Sequence, residues 1–186
     1  LATHLRLTAK DTAKRPSLTP LGHLGKPDAT TWHVIVRKGT YADLAALDGK
    51  TLLVTGSTDT TFVRNIALAG QGGGLTLEPI KRPLKAVRKV GRGQAEAALV
   101  DQDTLAHLGD LELPHELVSI HDSAGLPGLI LSATGSGETV TKVKAALPTL
   151  CEGEGRKLCK TFGVKRFRAA DQGLLKRLST RYTQGK

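Results

Sequence analysis

Residues 51–61, Thr51-Leu52-Leu53-Val54-Thr55-Gly56-Ser57-Thr58-Asp59-Thr60-Thr61, pass from an aliphatic, β-branched run into six small polar residues. Apolar side chains at Phe62, Val63, Ile66, Ala67 and Ala69 follow at helical spacing, and Gly70 closes them. The stretch therefore reads as a strand over 51–55, a hydroxyl-rich loop and a helix. Upstream, His33-Val34-Ile35-Val36-Arg37-Lys38 reads as a strand ended by Gly39. Tyr41–Leu47 gives a turn or two of helix before the Asp48-Gly49 turn. Downstream, strands are predicted at Leu75–Pro79, Ala95–Val100 and Leu117–Ile120. A helix over 83–90 ends at Gly91 and Gly93, and another runs from an Asp101 cap through Leu108. Strand alternating with helix from residue 33 to residue 120 is the pattern of an α/β fold built on a parallel, helix-covered sheet.

The flanks are less regular. A short helix is expected at Ala2–Lys10, and the rest of residues 1–31, punctuated by Pro16, Pro20, Gly22, Gly25 and Pro27, reads as a connection. Beyond the loop His121–Gly125 come a strand at Leu129–Ala133 and a helix capped by Ser136 that runs to about Leu150. Helices at Glu154–Phe162 and Gln172–Tyr182 complete the chain.

The 186 residues carry 27 Lys+Arg against 17 Asp+Glu, a net charge of +10. That balance fits an anionic partner, or a plainly solvated basic surface. The cations are spread over 6–15, 81–92 and 156–186, with no long polybasic run. One Trp, two Tyr and three Phe provide few stacking platforms, and no zinc-finger or convincing helix-turn-helix pattern is present, so nucleic acid is not expected as a partner. No apolar run reaches the roughly 18–20 residues of a membrane span, so no stable insertion is expected. The chain starts at Leu1 and contains no Met. Its start is accordingly expected to have been removed.

Several motifs fail on inspection. Gly49-Lys50-Thr51 lacks the upstream glycine of a phosphate-binding loop (the position is Leu44) and leads into a strand rather than a helix. The glycines at 70, 72, 73 and 74 also precede a strand, which is not the dinucleotide pattern. His121-Asp122-Ser123 has the residue types of a hydrolase triad, but adjacent side chains point in different directions. The six histidines show no ligand spacing. No catalytic residue, metal or cofactor is expected. Cys151 and Cys159 are neither a zinc nor a CxxC pattern. On one straight helix they would be ~12 Å apart, but Gly153 and Gly155 can break it, and a hairpin pairing them in a disulfide is expected.

The chemistry that remains is at strand ends. A helix N-terminus carries unpaired N–H groups and about half a positive charge, which suits a tetrahedral oxyanion, and Ser57, Thr58, Thr60 and Thr61 add donors. Ordinary capping by Ser57 or Asp59 explains the same residues. Asp101 is either a cap or a residue facing a ligand at the carboxyl end of its strand. The loop at His121 either lines a hinge or is a turn.

From residue 33 to about 168 the chain resembles the phosphate/phosphite/phosphonate-binding family of periplasmic transporter components. The residues that carry this are His33–Gly39 with Ala42-Asp43-Leu44 and Leu47-Asp48-Gly49-Lys50-Thr51, then Gly56-Ser57-Thr58. They are followed by Gly93-Gln94-Ala95-Glu96-Ala97-Ala98-Leu99-Val100-Asp101, the strand Gly128–Ala133 after Leu126-Pro127, and Glu154–Val164. The resemblance implies a type II periplasmic-binding fold with one α/β lobe complete and the other partial. Residues 1–32 are then a remnant of the first lobe, 33–125 the second lobe, and 126–186 the return strand and C-terminal helices on the first lobe. It implies a non-enzymatic, extracytoplasmic solute-binding component of an ABC-type transporter, held at the membrane by a lost signal or lipid anchor. The implied partners are a phosphonate- or phosphate-like oxyanion, bound between the lobes, and the transporter's membrane subunits. The same fold serves as a ligand-sensing domain, which stands as the alternative, with a basic nucleic-acid binder third. Carried onto this chain, the ligand residues are Ser57, Thr58, Asp59, Thr60, Thr61, Asp101 and His121. Asp59 and Thr60 replace a serine and a glycine of the family loop. A family histidine would fall near Arg82-Pro83, so Lys81 or Arg82 supplies charge instead. The family's N-terminal stretch is expected to have no counterpart.

Overall fold

The computed structural model describes residues 1–9, 18–24, 30–57, 59–135, 137–161 and 164–184. In chain order the elements are α1 (Ala2–Ala9), β1 (Leu18–Leu24), β2 (Trp32–Arg37), β3 (Thr51–Val54), α2 (Thr60–Phe62), β4 (Thr76–Pro79), α3 (Pro83–Gly91), β5 (Ala97–Asp101), α4 (Gln102–Ala106), β6 (Leu117–Asp122), β7 (Ile130–Thr134), α5 (Glu138–Ala146), α6 (Gly155–Thr161), β8 (Phe167–Ala169) and α7 (Gln172–Thr183). They form two units. Unit 1 comprises residues 1–29 and 125–184, and unit 2 comprises residues 30–124.

Unit 2 is built on a five-stranded sheet in the order β4-β3-β5-β2-β6. β3 runs parallel to β4 and β5, as the strand–helix alternation predicts. β2 is antiparallel to both β5 and β6, with Trp32 opposite Asp101 and His33 opposite Asp122. The sheet is thus parallel on one side and completed by two antiparallel strands on the other.

Strands covered on both faces read as unbroken apolar runs rather than alternating ones. Val34, Ile35, Val36, Leu52 and all of Ala97–Val100 have no exposed surface. On one face Ile35, Leu53, Ala98 and Val100 meet Ala86, Val87 and Val90 of α3. Each such aliphatic side chain contributes roughly 1.5–3 kcal/mol through burial. Two guanidinium groups stitch the loops: Arg37 donates to the carbonyls of Val90 and Ala95, both at 3.1 Å, and Arg64 to those of Gly72, Gly73 and Leu75 at 3.1, 3.2 and 2.8 Å. The glycine cluster is therefore a pinned loop around Arg64.

Unit 1 holds an antiparallel sheet, β7-β1-β8. β1 lies in the stretch expected to be a plain connection. Its Pro20 and Gly22 argue against a strand, but the β1–β7 register shifts between those two residues, and an irregularity of that kind tolerates a missing N–H. Gly22 also lets β8 approach, since a Cβ there would lie 2.6 Å from the Arg168 carbonyl oxygen. α1 packs on α7 and β1, with Leu5, Leu175, Leu178 and Tyr182 buried. Cys151 and Cys159 are joined in a disulfide, with Cα atoms 5.5 Å apart across the turn at Gly153, where φ is +49°. The helix expected from Ser136 to Leu150 is α5 followed by a 3-10 turn at Leu147–Thr149, and Ser136 itself lies outside the described residues.

Candidate ligand-binding site

The site residues of unit 2 sit where its strands end. The loop Thr55–Thr61 leaves β3, Ile80–Arg82 leaves β4, and Asp101 closes β5. Because β2 runs the other way, its first residue, Trp32, lies at the same edge, and so does the end of β6 at His121 and Asp122. Ligands of open α/β sheets gather at the carboxyl ends of parallel strands.

The loop after β3 is shaped locally. Gly56 has φ +68°, and a Cβ on it would fall 2.9 Å from Cη2 of Trp32, so only glycine lets the indole lie there. Trp32 also meets Phe62 edge to face, with ring centroids 6.1 Å apart at 73°. Its backbone N–H donates to Ser123 Oγ at 2.9 Å, and its carbonyl accepts the Ser123 N–H at 2.8 Å. The Asp59 N–H donates to Ser57 Oγ at 3.2 Å, which leaves the serine's own proton able to donate outward. Asp59 Oδ1 accepts the Phe62 N–H at 3.0 Å and caps α2. α2 is a single turn continued by a π turn over Val63–Ala67, much shorter than the apolar spacing suggests. Thr60 is exposed and Thr61 half-buried, while Thr58 lies outside the described residues.

Asp101 caps α4, accepting the Thr104 N–H at 2.8 Å. Lys81 and Arg82 are exposed after β4, on the far side of β3 from Asp101. His121 stands at the end of β6. Its Nε2–H donates to the Ala67 carbonyl at 3.0 Å. Its strand, β6, is three places from β3 in the sheet, and the imidazole reaches the π turn that follows the β3 loop.

Sequence reasoning missed the pair beneath the edge. His33, 5% exposed, donates from Nδ1 to Asp122 Oδ1 at 2.7 Å, and its Nε2 meets Gln102 Oε1 at 2.9 Å. Asp122 also accepts the Ser119 hydroxyl at 2.6 Å. That hydroxyl holds the Asp122 carboxyl below its ordinary pKa against the opposing effect of burial, and the contact with His33 adds a smaller lowering. The network ties β2, β6 and the start of α4 together and so fixes the residue after Asp101. An apolar strand opening on Trp-His was the only signal in the sequence.

Residues 3–174 match the family described as ABC transporter, phosphonate, periplasmic substrate-binding protein. The chain belongs to this family. The match includes β1, so the likeness to this phosphonate-binding family begins before His33. XAC2383 from Xanthomonas citri bound to ATP superposes with a TM-score of 0.68 at 16% identity, over 89% of this chain and 71% of that one. The same protein bound to chloride gives 0.65 at 15% identity, over 89% and 70%. At such identities the likeness is one of fold, the type II periplasmic-binding fold. An ancestral arginine-binding protein bound to arginine gives only 0.49 at 20% identity, over 82% and 66%. No curated protein matches the chain. The family is one of substrate-binding transport proteins, and no helix among the described residues is long and apolar enough to cross a membrane.

Proposed function

We propose that this protein delivers a phosphonate- or phosphate-like oxyanion to the membrane subunits of an ABC-type transporter on the extracytoplasmic side. The observation that carries the reading is the juxtaposition on neighbouring strands of the hydroxyl-rich loop after β3, the cations Lys81 and Arg82 after β4, and the carboxylate of Asp101 after β5. Ser57, Thr58, Thr60 and Thr61 donate to the oxyanion, and Lys81 or Arg82 balances its charge. Asp101, with one carboxylate oxygen engaged at the α4 cap, turns toward a cationic tail. Asp59 beside the anion disfavours a free dianion, so an aminoalkylphosphonate is the ligand chemistry that this charge pattern suits best.

Calorimetric titration of the whole protein with phosphate, phosphite, methylphosphonate and 2-aminoethylphosphonate tests this. A hydroxyl donating to an ionised oxygen contributes ~1.5–3 kcal/mol, so Ser57→Ala or Thr58→Ala weakens binding about ten- to a hundredfold, while folding changes by at most about 1 kcal/mol. Asp101→Asn erases any preference for the amino ligand over methylphosphonate. Unchanged affinity in both hydroxyl variants, or no binding of any of the four anions, overturns the assignment.

A further inference from the structure

Between Glu78 and Glu96 the chain has six cations and no carboxylate. Lys81, Arg82, Lys85, Arg88 and Arg92 are exposed and Lys89 is half-buried, along α3 and its two ends. They line one open groove of about 660 Å³, beside Leu84, which is 41% exposed.

For folding alone this is a poor arrangement. Lys85–Lys89 on α3 and Arg88–Arg92 at its end are like charges one turn apart, which repel. Lys81 and Arg82 stand at the positive end of the helix dipole, where a cation is unfavourable, although Arg88 and Lys89 in the last turn suit its negative end. None of the six enters an ion pair among the described residues, whereas Lys38 and Lys142 pair with Glu116 and Glu138. The core face of α3, Ala86, Val87 and Val90, requires nothing of the opposite face. An extended anionic surface along the helix would offset this repulsion.

We propose that the outer face of α3 docks on the anionic headgroups of a lipid bilayer. The cations are spread along the helix instead of converging on a point, and they surround an exposed leucine rather than an aromatic stacking platform. Spread charge beside a small apolar contact fits a headgroup layer, which is itself diffuse and presents acyl chains just beneath.

Co-sedimentation with vesicles of neutral lipid alone, and with roughly a third of anionic phosphatidylglycerol, measures this at about 0.1 M salt. Wild type is expected on the anionic vesicles only, and to be released at about 0.5 M salt. Replacing Lys85, Arg88 and Arg92 together by Gln should lower partitioning about a hundredfold, at roughly fivefold per cation. All three are exposed, and unchanged circular dichroism checks the fold. A control removing three exposed cations of unit 1, Lys157, Lys176 and Arg177, should bind as wild type does. Equal loss in the control would mean that the net charge of +10 acts without any patch, and would overturn the proposal. So would the absence of any preference for anionic vesicles. Displacement by millimolar glycerol phosphate would also sink it, by revealing a small-phosphate site in place of a surface.

Discussion

Unit 2 leaves Ile35, Leu53 and Leu99 at 0–2% exposure, whereas unit 1 leaves Leu129 at 67% and Leu158 at 61%. In unit 2 helices cover the sheet, and the apolar runs of β2, β3 and β5 find partners above and below. In unit 1, Leu129, Leu131, Leu158 and Phe167 line an open apolar groove, and α5 contributes no buried residue. One unit is held by its core. The other leans on a smaller cluster around Leu5 and Leu178, and on a covalent link. Stability in this protein is therefore distributed unevenly, and each half has its own point of failure.

The largest effect should come from cavities in unit 2. Leu53→Ala or Leu99→Ala is expected to cost about 2–5 kcal/mol, against well under 1 kcal/mol for Leu129→Ala or Leu158→Ala. Urea melts followed by the fluorescence of Trp32, the one Trp of the chain and a residue of unit 2, measure the first pair, and circular dichroism the second. Equal costs at buried and exposed leucines would erase the contrast between the units.

Next in size is the disulfide. Opening the short Cys151–Cys159 loop by Cys151→Ser with Cys159→Ser should weaken unit 1 by about 2–3 kcal/mol. The Trp32 transition should stay where it is. If it moves by as much, the two units unfold as one and the comparison fails.

The smallest effect separates the units by pH. Burial holds His4 of unit 1 below its ordinary pKa. The stability this reflects is present above about pH 6.5 and is lost as the pH falls through the lower folded value. In unit 2 the depressed carboxyl is Asp122, so its contribution persists down to about pH 3.9 and disappears only below that. Hydrogen exchange at decreasing pH should show unit 1 loosening first. His4→Asn should flatten the early step and Asp122→Asn the late one. Simultaneous loosening in the unmutated protein would contradict the assignment.

Much of unit 2 was legible because its rules are local. The β3 run ends in a glycine and hydroxyls, Pro83 opens α3, and the Asp101 cap marks the end of β5 within a residue. What escaped depends on partners far along the chain. β1 looks like a connection because Pro20 and Gly22 have poor strand propensity, and only pairing with β7 and β8 overrides it. The place of His121 three strands from β3 follows from strand order, and the His33–Asp122 pair spans 89 residues. The apolar spacing after Thr61 predicts a regular helix, yet the chain takes one α turn and a π turn, with no signal in residue type. Among the site residues, the loop and the Asp101 cap could be read from sequence. The strand order that sets their spacing could not.

Unit 2 is a continuous segment, whereas unit 1 is assembled from two pieces that flank it. During synthesis, residues 30–124 are complete before β7 exists, so β1 must wait for its partner. His33 and Asp122 are neighbours in the folded sheet, which places the entrance and exit of unit 2 side by side. Once that sheet forms, the chain separating His23 from its partner Ile130 is short-circuited to its two flanking segments. Loop closure then becomes cheaper by roughly 1–2 kcal/mol, a gain that grows only with the logarithm of the length removed. The inserted unit thus acts as a clasp, and a lesion that delays its folding should leave unit 1 as two loose strands even though no residue of unit 1 has changed.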